Sequence, residues 1–115
     1  IISEEERPEN LILLLEHVQK NRIAYESLLI HQPDALFTDR IQEILKEYVR
    51  EGISSAQTRP YFIHVNEELI IAYVAGAYLE SLKWWIKTNY EMPPVELAKT
   101  LIELSINGPY TKRLI

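Results

Sequence analysis

The side chains that could do chemistry in this 115-residue chain are few, and their spacing argues against most reactions. His17, His31 and His64 are the only imidazoles. No two of them stand three or four residues apart or in an H-E-x-x-H arrangement, so no helix face offers a ligand pair for zinc. Cysteine is absent, which excludes disulfides, thiolate nucleophiles and cysteine-built metal sites. Ser54, Ser55 and Ser81 have no histidine and carboxylate at a recognisable triad spacing. Carboxylates are plentiful, but no two stand out as buried partners for acid–base work. No catalytic residue, cofactor or metal ligand is assigned, and the chain reads as a non-enzyme.

Binding is the chemistry that remains. Twelve basic residues are scattered and outnumbered by 17 acidic ones, for a net charge of −5. A nucleic-acid surface draws its affinity from a clustered basic stripe, so this stretch by itself is not expected to hold DNA. The aromatic residues are more informative. Tyr25, Phe37, Ile41, Leu45, Tyr78 and Trp85 fall on the inward sides of successive helical patterns. Together they could line a cavity for a small apolar or aromatic effector, oriented by a tyrosine hydroxyl; they could equally fill a solid core. Trp84 and Trp85 are adjacent, hence about 100° apart around a helix, and cannot both face one wall. Trp85 belongs with the core side and Trp84 with the flank carrying Tyr73 and Glu80.

Helices must position these groups. Leu11, Leu14, Leu15 and Val18 recur at helical spacing after the acidic leader Glu4-Glu5-Glu6 and Pro8. Asn21 caps a second helix or marks a bend, and Ile23, Ala24, Leu28 and Leu29 continue the apolar stripe. The segment His31–Asp34 breaks it, because the residue before Pro33 is driven from helical geometry. Phe37, Ile41, Ile44, Leu45, Tyr48 and Val49 define an amphipathic third helix whose charged residues form a solvated face. Gly52 to Pro60 reads as the longest connection, with some of it open to helix. Asn66 then caps a long fourth helix, to about Asn89, with Glu67 and Glu68 complementing its dipole. Pro93-Pro94 opens the fifth, and Asn107-Gly108-Pro109 stops it. The expectation is a single all-α domain, a five-helix bundle spanning residues 1–115.

The fourth helix is apolar nearly all round. Ile71, Val74, Ala75, Tyr78, Leu82 and Trp85 share one side, while Leu69, Ala72, Gly76, Leu79 and Lys83 share the other. The run Leu69–Leu79 carries no charge for 11 residues, too short for a bilayer span but right for a helix buried on two sides. Glycine within a helix costs about 0.5–1 kcal/mol relative to alanine, so Gly76 implies close approach of another helix. One side can meet the protomer's own core, and a second subunit is the natural cover for the other. Leu97, Leu101 and Leu104 give the fifth helix a comparable stripe. The expected dimer face is therefore Leu69, Ala72, Gly76, Leu79, Lys83, Leu97, Leu101 and Leu104, two helices per subunit forming a four-helix interface.

The string YVAGAYLESLKWWI, Tyr73 to Ile86, resembles the C-terminal domain of one branch of TetR-type (tetracycline-repressor-like) regulators. In these an apolar helix with an Ala-Gly-Ala centre ends in a Trp-rich segment. The helix start Pro94-Val95-Glu96-Leu97-Ala98, the stop Asn107-Gly108 and the upstream Asn21-Arg22-Ile23-Ala24-Tyr25 follow the same order, so the resemblance covers about residues 8–109. Pro93 departs from it where a capping Ser or Asp is expected. The resemblance implies a homodimerising, effector-binding domain, with operator DNA bound through an N-terminal helix-turn-helix unit that this stretch lacks. The first residue, Ile1 rather than methionine, fits a fragment of a longer protein. The expected setting is cytoplasmic, with no membrane partner. The alternatives are a helical homodimeric protein–protein module without an effector and, less in keeping with so few polar residues on the inner faces, a small helical enzyme.

Overall fold

A computed structural model of the chain describes residues 9–57 and 65–109, and the side chains of residues 54–57 fall outside the description. The acidic leader, the end of the expected Gly52–Pro60 connection together with residues up to His64, and the chain beyond Pro109 therefore lie outside the described residues. Within those residues the fold is all-α, with five helices and no strand. They are α1 (Glu9–Lys20), the single turn α2 (Arg22–Tyr25), α3 (Ala35–Gln57), α4 (Glu67–Lys87) and α5 (Pro94–Asn107).

Local chemistry accounts for most boundaries. Phe37 N–H donates to Asp34 Oδ1 at 2.8 Å, so Asp34 caps α3 after the Pro33 break. Leu69 N–H donates to Asn66 Oδ1 at 3.0 Å, the expected cap of α4. Pro93 offers α5 no side-chain cap, but Pro94 supplies a preset first-turn φ. Gly108 ends α5 at φ +75°, where a side chain would be strained. Asn21 marks a bend and does not cap: its Nδ2 donates back to the His17 carbonyl, and no side-chain bond reaches α2. Helix α3 runs through Gly52 to Gln57, past the point where the composition first reads as loop.

One feature of the backbone is not visible in the sequence pattern. From Glu26 to His31 the helix widens to π geometry, and Gln32 N–H reaches the Ser27 carbonyl five residues back at 2.8 Å. This wide turn swings the chain from α2 toward the start of α3.

The core runs the length of the bundle. Leu11, Leu15 and Val18 of α1 meet Leu97, Ala98 and Leu101 of α5, while Ile41, Leu45, Val49 and Ile53 of α3 face Ile71, Ala75, Tyr78 and Leu82 of α4. The periodic i, i+4 apolar residues of α3 and α4 are what let the two longest helices lie along each other. Trp85 is fully buried at the lower end of α4 and donates its indole N–H to the Met92 carbonyl at 2.7 Å, fixing the α4–α5 turn.

Candidate functional site

Of the six residues expected to contact an effector, Tyr25, Ile41, Leu45, Tyr78 and Trp85 are buried, and Phe37 packs against them at the edge of the same core. The Tyr25 and Phe37 rings meet edge to face, 5.3 Å between centroids. Both tyrosine hydroxyls are already engaged. Tyr25 pairs with His17 Nδ1 at 2.9 Å, and Tyr78 donates to Ser105 Oγ at 3.2 Å and toward the Leu101 carbonyl. Burial raises the pKa of each phenol. The structure brings the six residues into one cluster packed on itself, in which a ligand's polar group would compete with partners already in place.

At the α4–α5 turn a second set of groups is clamped. Asn89 and Tyr90 both adopt left-handed backbone, φ +63° and +58°. Such geometry costs a non-glycine residue about 1–3 kcal/mol and persists only when its surroundings hold it. Here they do. Tyr90 stacks edge-on against Trp85 at 5.0 Å, Arg22 lies 5.3 Å over the Tyr90 ring, and Arg22 donates to Asn89 Oδ1 at 2.8 Å. Glu26, on the π turn, sits 3.8 Å from Arg22 and accepts from the Tyr90 hydroxyl. Burial first and the neighbouring Glu26 carboxylate second push the Tyr90 pKa up to about 12. This aromatic was not singled out in the sequence, although a tyrosine directly after a Trp-rich helix end was the available signal.

The outward side of α4 carries the other half of the expected site. Leu69 and Ala72 are exposed, with Gly76, Leu79 and Lys83 half-buried beside them. A Cβ built on Gly76 meets nothing within 4 Å, so none of the described helices of the protomer packs against it. Two large residues join this face: Tyr73, 75% exposed, and Trp84, 51% exposed. They stand eleven residues apart, close to three full turns, and so share one side of the helix. Lys83, the one cation among the expected interface residues, is paired with Glu80 at 3.3 Å.

Helix α5 does not follow its expected orientation. Leu97 and Leu101 turn inward against α1 and are buried in the protomer's own core, so neither can lie on an interface; Leu104 alone of the three is exposed. Val95 and Ile106 are exposed on another side of α5, while Ile102 is half-buried against the core. The reason is that α5 has two apolar stripes, and docking of α1 selects the one carrying Leu97, Ala98 and Leu101.

A groove of about 290 Å³ opens between α1 and α3. Leu11, Leu14, Ile44 and Leu45 form its walls and Glu47 and Glu51 stand on its α3 side. Among the described residues no group of three or more histidines and carboxylates is placed to hold a metal ion.

Residues 5–107 match the family described as transcriptional regulator C-terminal region, of the TetR type. The chain belongs to that family. Neither a curated protein nor a solved structure is similar enough to match. The matched segment takes in all five helices, so the TetR-type C-terminal region here is the whole described bundle, including the packed core, the clamped turn and the exposed α4 face. No described helix is long and apolar enough to cross a membrane.

Proposed function

We propose that this chain is the dimerising, effector-sensing half of a TetR-type regulator, non-catalytic and cytoplasmic, governing DNA binding by an N-terminal domain outside this stretch. The observation that carries the reading is the outward face of α4. Leu69, Tyr73 and Trp84 expose apolar surface around Gly76, whose open flank leaves room for a second helix to approach. A symmetric pair covers such a face with itself and removes the apolar patch from water. Val95 and Ile106, exposed on one side of α5, would extend the contact.

Regulation in this reading is a shift of population. An effector that binds one arrangement of the helices better than another biases the dimer toward it, and the spacing of two DNA-binding domains changes with it. The core cluster of Tyr25, Phe37, Ile41, Leu45, Tyr78 and Trp85 would be the element that rearranges, since it joins α2, α3, α4 and the α4–α5 turn. The competing reading, a homodimeric module with no effector, draws support from the mutual packing of those residues. Size-exclusion chromatography of Gly76→Leu tests the dimer. The substitution has room within the protomer, so the expected outcome is a folded monomer. An unchanged dimer would place the interface elsewhere.

A further inference from the structure

We propose that the α1–α3 groove binds a hydrophobic organic monocation, an alkyl- or arylalkylammonium, with Glu51 as its counter-ion. This inference rests on the effector-sensing part of the function proposed above and names the ligand class. Leu11 and Leu45 form a buried floor, Leu14 is half-buried, and Ile44 is 45% exposed at the lip. A volume of about 290 Å³ is at the small end of the usual pocket range, about 300–1,000 Å³, and suits a single ring with a short chain.

The charge pattern of α3 decides what sign that ligand should have. Glu43, Glu47 and Glu51 repeat every four residues and so stack along one side of the helix, where like charges repel. Glu43 has Lys46 at 3.6 Å and Glu47 has Arg50 at 3.4 Å. Glu51 has no ion pair among the described residues, and it stands on the groove. An ammonium at the mouth would complete the series of pairs while its apolar tail leaves water against Leu14 and Ile44. An anionic ligand would meet two carboxylates, and a neutral one would gain only the apolar contact.

The test is calorimetric titration of the 115-residue chain with three probes of one shape: phenylbutylammonium, phenylbutanol and phenylbutyrate. The ammonium should bind roughly 2- to 5-fold more tightly than the alcohol, the range set by a solvent-exposed ion pair, and the carboxylate most weakly. The preference should shrink as salt is added. Glu51→Gln should bring the ammonium to the level of the alcohol and leave the alcohol unchanged. Ile44→Trp, at an exposed lip position, should weaken all three. Equal binding of the three probes, a preference that survives Glu51→Gln, or no binding at all would overturn the proposal. Light scattering on the same samples keeps the readings apart: a dimer that ignores the probes removes this ligand class, and a monomer that binds them removes the dimer.

Discussion

The two sides of α4 carry similar apolar content and opposite consequences. On the inner side Ile71, Ala75, Tyr78, Leu82 and Trp85 are buried, and the two with polar atoms to satisfy, Tyr78 and Trp85, each find an acceptor. On the outer side Leu69, Tyr73 and Trp84 are half-exposed or more, and Gly76 faces open space. The inner face is completed by the protomer, while the outer face leaves apolar surface uncovered among the described residues. Apolar character therefore specifies burial without specifying who provides the cover. The TetR-type family membership and the open flank of Gly76 together favour a second copy.

Substitutions can break this contrast from either side. Trp85→Ala should have the largest effect, costing about 3–5 kcal/mol of stability in denaturant unfolding, because it empties a fully buried site and frees the Met92 carbonyl. Next in size is Gly76→Ala, which acts with opposite signs on the two levels. It should stabilise the protomer by about 0.5–1 kcal/mol through helix propensity while weakening association, seen as a higher unfolding midpoint of the monomer and a weaker dimer on dilution. Tyr73→Ser should be nearly neutral for the protomer, within about 0.5 kcal/mol, yet should remove the dependence of Tm on protein concentration that a dimer confers. A Tyr73→Ser variant that loses near-ultraviolet circular dichroism would contradict the assignment of that residue to an exposed face.

The clamped turn gives a pH-dependent prediction with a definite sign. Tyr90 holds its proton more tightly when folded, at about 12 against an ordinary value of 10.0. Its contribution is fully present below pH 10 and is lost as the pH rises from about 10 to about 12. Thermal melts across that range should fall more steeply for the wild type than for Tyr90→Phe. Parallel curves would mean that Tyr90 titrates alike in the folded and unfolded chains.

Much of this architecture was legible in the residues, for identifiable reasons. The i, i+4 apolar stripe of α3, the Asn66 cap and the Gly108 stop are local signals, and each acts where it stands. The identity of Trp85 as core and Trp84 as flank followed from the 100° step between neighbours on a helix. Three features were not legible because they depend on distant partners. The π turn at Glu26–His31 answers to the path from α2 to α3, which no periodicity encodes. The inward rotation of Leu97 and Leu101 depends on α1 choosing between two apolar stripes of α5. The burial of Tyr90 depends on Arg22, 68 positions earlier in the numbering, reaching across to the α4–α5 turn. For the candidate site, the 100° step already puts Tyr73, Glu80 and Trp84 on one flank of α4, but how far Tyr73 and Trp84 stand out from the bundle depends on how α3 packs against the other side.

The most direct test of the dimer is the solution mass of the chain by light scattering over a dilution series. A stable species at twice 13.5 kDa, reduced to 13.5 kDa by Gly76→Leu, is the result expected if the outer face of α4 is covered by a second copy. A monomer at every concentration, with that face left open to water, would contradict the proposed function.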